Sequence, residues 1–133
     1  ESGTPNIADV IAFRHAIEFI LQIGQDNIKL YERELLYSVT EKLQSLPSIR
    51  LMGTAKDKVG VVSFVVKNIH PFDIGQMLDA RGIAVRTGHH CTQPLMTRLG
   101  VDGTTRASFA IYNTEEEIDV FVKTLARIIN VLR

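Results

Sequence analysis

Apolar residues recur at three- and four-residue spacing twice in the first third of the chain. Ile7, Val10, Ile11, Ile17, Ile20 and Leu21 predict a helix over 7–23, with Asn6 placed to cap it and Gly24 to end it. Ile28, Leu35, Val39, Leu43 and Leu46 mark the inner face of a second helix, from about Asp26 to Leu46, closed by Pro47, which has no N–H to donate. The pattern then shortens to strands, Ile49 to Met52 and the β-branched run Val59 to Val66, joined by a loop over 53–58. Pro71 at a first helical position, apolar Phe72, Ile74, Met77 and Leu78, and Gly82 beyond the end predict a short helix. A brief strand over 83–86, a short helix over 94–99 stopped by Gly100, and a strand over 104–112 follow. The last helix is the best specified. Thr114 and Glu117 form a capping box, Glu115 and Glu116 suit the positive end of its dipole, and Ile118, Phe121, Val122, Leu125, Ile128, Ile129 and Leu132 make its stripe. No repeat interrupts this order. It predicts an α+β fold, a small and largely antiparallel sheet packed with helices on one side.

Composition narrows the class. The chain has 133 residues, enough for one domain, and 45% are hydrophobic, ample for a packed core. Fifteen basic residues balance fifteen acidic ones and no basic run occurs, which argues against a nucleic-acid partner. No stretch approaches the roughly 18 apolar residues of a membrane span, and the N-terminus has no signal-peptide pattern. The single cysteine cannot form an intrachain disulfide and favours a reducing, cytoplasmic setting. A start at Glu1 rather than Met is a hint of a fragment.

The reactive residues concentrate in Arg86-Thr87-Gly88-His89-His90-Cys91, between a predicted strand and a Pro-initiated helix. A thiol is nucleophilic as thiolate, and imidazolium, guanidinium or a helix N-terminus lowers its pKa. Arg86, His89, His90 and the helix near Pro94 offer all three. The bland alternative is a small buried hydrophobe, the usual state of a lone cysteine. A zinc site is disfavoured, because three consecutive ligands rarely converge on one tetrahedral centre; His70 or Asp102 could join only if the fold brought them near. Arg106 interrupts a small, apolar strand, and it reads equally as an edge residue facing water or as a fork for a carboxylate. Thr4, after Gly3, could bind an anion ahead of the first helix, although a capped start looks the same. His15, Glu32-Arg33-Glu34 and Glu115 to Glu117 are most simply surface residues of helices.

Together these segments resemble the cysteine desulfurases. The likeness is carried by Glu1-Ser2-Gly3-Thr4-Pro5-Asn6, Ile69-His70-Pro71, the run from Gly82 through Cys91 to Met96, Arg106-Ala107-Ser108, and Tyr112-Asn113-Thr114-Glu115-Glu116-Glu117. The Arg-x-Gly-His-His-Cys-x-x-Pro form is similar to the Suf-type branch, which includes selenocysteine lyase-like enzymes. The resemblance implies the small C-terminal domain of a pyridoxal phosphate-dependent, aminotransferase-like fold of type I. It implies that Cys91 takes sulfur from cofactor-bound L-cysteine as a persulfide, with release of L-alanine, for iron–sulfur cluster assembly. It further implies that Arg106 holds the substrate carboxylate, and that Thr4 reaches the cofactor phosphate of the partner subunit in a homodimer. Arg86, His89 and His90 belong to the motif around the nucleophile.

One departure bears on the whole assignment. The family holds its cofactor on a lysine that follows a histidine, and none of Lys29, Lys42, Lys56, Lys58, Lys67 and Lys123 does so. The expectation is therefore residues 1–24 as N-terminal motif and linking helix toward an absent large domain, and 25–133 as the small domain, inactive alone. A sulfur-acceptor protein of the Suf system is the implied partner. A free-standing persulfide carrier and a Cys–His hydrolase are the competing readings.

Overall fold

The computed structural model describes residues 2–133. Its elements in chain order are α1 (Ile7–Ile23), α2 (Gln25–Gln44), β1 (Ile49–Met52), β2 (Val61–Val66), α3 (Pro71–Asp79), β3 (Arg86–Gly88), α4 (Gln93–Leu99), β4 (Thr104–Ser108) and α5 (Glu115–Leu132). The chain divides after Tyr31 into two units. None of the helices among the described residues is long and apolar enough to cross a membrane.

In the first unit Asn6 caps α1, its Oδ1 accepting from the Asp9 amide at 3.3 Å, and Gly24 ends the helix. The helix has no buried residue. Ile7, Val10, Ile11, Phe13, Ile17, Phe19, Ile20 and Leu21 are all 42–68% exposed. At 3.6 residues per turn these positions spread around the axis, so α1 is apolar on nearly every side.

The second unit is built on one antiparallel sheet of order β1-β2-β4-β3. Period-two alternation along β2 buries Val62, Phe64 and Val66. These join Leu35, Leu36, Val39 and Leu43 of α2, Ile74 and Leu78 of α3, and the stripe of α5 in one core. The Phe64 and Phe121 rings meet at 6.3 Å between centroids, in a tilted arrangement favoured by aromatic quadrupoles. The α5 capping box forms as expected: Glu117 N donates to Thr114 Oγ1 at 3.3 Å and Thr114 N donates to Glu117 Oε2 at 3.1 Å.

The α+β class and the helices agree with the expectation, while three strand limits and one surface assignment differ. β3 occupies 86–88 rather than 83–86, because Ile83 and Val85 pack against the core and pairing begins only at Arg86. β4 stops at Ser108 rather than 112, since its β2 partner runs out at Val61 and Asn113 Oδ1 takes the Ala110 amide into a turn. β2 starts at Val61, leaving Val59 74% exposed. Glu115 is not merely solvated: together with Asp119 it binds Lys42, tying α5 to α2. Those bonds lower both carboxyl pKa values and raise that of Lys42.

Replacing Phe64 by Ala is expected to cost about 3–5 kcal/mol of unfolding free energy, and Thr114→Ala about 1 kcal/mol. Urea denaturation measures both, and a Phe64→Ala cost below about 1 kcal/mol would contradict this core.

Candidate active site

The site is set by the pairing of β3 on β4, which places Arg86 opposite Arg106, Thr87 opposite Thr105 and Gly88 opposite Thr104. Opposed residues share a face and neighbours alternate. Thr105 and Ala107 are buried toward the core, and a Cβ on Gly75 of α3 would stand 2.7 Å from the Thr87 methyl, so this face is filled. Arg86 and Arg106 therefore project from the other face, with Ser63 of β2 opposite Arg106 on its far side. Like charges directly opposite destabilise a sheet. Neither guanidinium has an ion-pair partner among the described residues, and Arg106 Nε is buried without an acceptor. Such an arrangement calls for an anion with paired oxygens.

Beyond β3 the chain makes a tight loop that carries Cys91, a free and exposed thiol. Gly88 has φ 113°, and the non-glycine residues His90 and Cys91 follow at 53° and 60°. Left-handed backbone at such residues costs on the order of 1–3 kcal/mol each, so the surroundings must hold it. Within the loop, Cys91 N donates to His89 Nδ1 at 3.1 Å, and Thr92 donates to the His89 carbonyl through N at 2.9 Å and Oγ1 at 2.7 Å. Toward the sheet, His90 Nε2 lies 2.9 Å from Thr104 Oγ1 and 3.2 Å from Thr104 O. Helix α4 then follows, with Met96 buried.

The His90 ring plays a different part from the imidazolium expected beside the thiol. A carbonyl oxygen only accepts, so His90 Nε2 carries the ring proton and Nδ1 is a bare lone pair, buried without a partner. Burial chiefly lowers the His90 pKa; the Thr104 carbonyl opposes that, and the charges of Arg106, Arg86 and His89 add to it. His89 Nδ1 is turned back on its own loop, where it accepts the Cys91 amide. Arg86 and Arg106 bring positive charge near the loop, and their fields both reach His90.

The remaining candidates take no part in the bonds described so far. Thr4 is exposed in the first unit, behind Gly3 at φ 124°. His70 caps α3, its Nδ1 accepting from Phe72 N at 3.3 Å, and Asp102 is exposed. No group of three or more His, Cys, Asp or Glu side chains gathers to hold a metal among the described residues. Thr104, 2% exposed, is the contact that sequence reasoning missed. Gly103 beside it explains the close approach: a Cβ there would stand 2.9 Å from the Gly88 carbonyl carbon.

Comparison with known proteins gives this geometry its context. The family Aminotransferase class-V matches residues 1–121. The chain is 48% identical over 128 residues to a probable cysteine desulfurase of Mycolicibacterium paratuberculosis, covering 96% of this chain and 19% of that protein. It is 45% identical over 128 residues to a cysteine desulfurase of Cronobacter sakazakii, covering 96% and 31%. Its fold is similar to a cysteine desulfurase from Thermococcus onnurineus NA1, with TM-score 0.92 and 39% identity over 98% of this chain and 33% of that one. A cysteine desulfurase from Escherichia coli gives TM-score 0.91 and 34% identity over 100% and 33%. The chain thus spans a third or less of the length of these relatives.

A pH dependence follows from His90. The unfolded chain takes up its proton near pH 6.5, the folded chain at lower pH, so His90 favours the fold above about 6.5 and that preference is lost as pH falls through the folded value. Urea midpoints are expected to drop between about pH 7.5 and 5.5, and to drop less in His90→Gln. Equal slopes for the two proteins would contradict the assignment.

Proposed function

Because the chain belongs to the aminotransferase class-V family, we propose that it is the small C-terminal domain of a cysteine desulfurase and supplies the sulfur-accepting thiol and the substrate-carboxylate arginine. The observation that carries this reading is the opposed, unpaired Arg86 and Arg106 on the open face of the sheet, at the foot of a loop presenting an exposed Cys91. The names of the relatives support the same activity. In this reading residues 1–24 are the N-terminal motif and linking helix and 25–133 the small domain. The all-round apolar surface of α1 supports its burial by the larger remainder of such an enzyme.

The residues of this chain fit the edge of a pyridoxal phosphate site and not its anchor. Thr4 is an exposed hydroxyl suited to a phosphate, in the manner of a partner-subunit contact in a homodimer. No lysine follows a histidine, and Lys42 is held as a cation by Glu115 and Asp119. When bound, the cofactor supplies the electron sink for the carbon that loses its sulfur. The guanidinium of Arg106 grips the carboxylate of L-cysteine through paired N–H donors. Arg86 adds positive charge on the same face. Sγ of Cys91 forms the new S–S bond as the C–S bond of the substrate breaks, leaving a persulfide on the loop and L-alanine as the other product. The exposure of Cys91 leaves that persulfide open to a sulfur-acceptor protein, of the Suf system in this reading, for iron–sulfur cluster assembly in the cytoplasm. A selenocysteine substrate belongs to the same proposal.

In the full-length protein with pyridoxal phosphate, Cys91→Ala is expected to abolish L-alanine release from L-cysteine while cofactor absorbance persists; undiminished release would refute the assignment. Arg106→Lys is expected to lower kcat/KM for L-cysteine by about 10- to 100-fold, since a point charge replaces the fork. Unchanged kinetics would remove the carboxylate role.

A further inference from the structure

The strained loop has several ties, but only one of those described above fastens a side chain of its left-handed pair to the sheet. The bonds from Cys91 N and from Thr92 N and Oγ1 all end on His89, inside the loop itself. The His90 ring alone reaches out, to the first residue of β4. Thr104 is well suited to receive it, being 2% exposed and fixed opposite Gly88. It is also two residues from Arg106 on one strand, so the two stand on the same face.

We propose that Thr104 is a positioning residue for the Cys91 thiol: its Oγ1 and carbonyl oxygen take the His90 Nε2–H, fastening the left-handed His90–Cys91 pair to the strand that carries Arg106. The inference rests on the desulfurase reading above and extends it. Reacting atoms must meet within a few tenths of an ångström of the productive geometry, and a misplacement of about 1 Å can cost about 100-fold in rate. Thr104 sets that separation, because the strand carrying the carboxylate-binding group also anchors the loop carrying the nucleophile.

Two measurements test this. Hydrogen exchange on this chain compares wild type with Thr104→Val, which keeps the volume and removes the hydroxyl. The Cys91 and Thr92 amides are expected to exchange about tenfold faster in the variant, with α5 amides unchanged. In the full-length protein with pyridoxal phosphate and L-cysteine, Thr104→Val is expected to lower kcat about tenfold with KM within about twofold, and Thr104→Ser to restore kcat to within about threefold of wild type. Thr104→Val with wild-type exchange and kcat overturns the proposal. So does Thr104→Ser no better than Val, or a general fall in protection across α5, which would make Thr104 a residue of the fold alone. Should Thr104→Val not fold, Thr104→Ser and His90→Asn carry the comparison: wild-type loop exchange in His90→Asn overturns the proposal. Cys91→Ala separates the two levels, because L-alanine release without Cys91 refutes the desulfurase reading whatever Thr104 does.

Discussion

The antiparallel pairing of β3 with β4 is the constraint on which the site depends. Three residue pairs fix it, and each end does something different. At one end two guanidinium groups are forced onto the same face. At the other, two backbones approach so closely that Gly103 leaves no room for a Cβ against Gly88, and the loop leaves the strand there. The core offsets the cost of this arrangement: Thr105 and Ala107 lock β4 against the helices, so β4 cannot relax to separate the charges. In the proposed function a repulsive pair held by packing serves as a preorganised anion site, because the cost of bringing the charges together is met on folding.

The loop follows the same logic with backbone strain in place of charge. His90 and Cys91 both adopt left-handed backbone, and the His89 bonds with the His90 ring hold them there. A thiol on such a turn is exposed yet fixed. The neutral state of His90 serves this structural role, since a ring that donates to a carbonyl from one nitrogen and buries the other is a strut. Positive charge on the same side of the sheet is supplied by the opposed Arg86 and Arg106.

Much of this is legible in the sequence, for identifiable reasons. Helix periodicity and caps locate α1, α3 and α5 closely, since Asn6, Pro71 and Thr114 act through local bonds that a sequence displays. The Cys91 cluster and Arg106 stand out because reactive and charged residues are conspicuous among small and apolar ones. Strand limits are less legible, because β3 and β4 end where a partner ends, and a partner is remote in sequence. The register that opposes Arg86 and Arg106, the Thr104 anchor and the Lys42 bonds to Glu115 and Asp119 are all long-range facts. Nothing adjacent to Thr104 marks it as the partner of His90. The role of the histidines is hidden for the same reason, since proximity to a thiol in sequence does not say where a ring nitrogen points.

In the proposed function Cys91 receives sulfur from L-cysteine, and the mass of the peptide carrying it tests this most directly. After the full-length protein with pyridoxal phosphate is mixed with L-cysteine and alkylated without reductant, that peptide should be one sulfur atom heavier than in a control lacking L-cysteine. The added sulfur should be lost on reduction. A Cys91 peptide of unchanged mass, while L-alanine accumulates, would contradict the account.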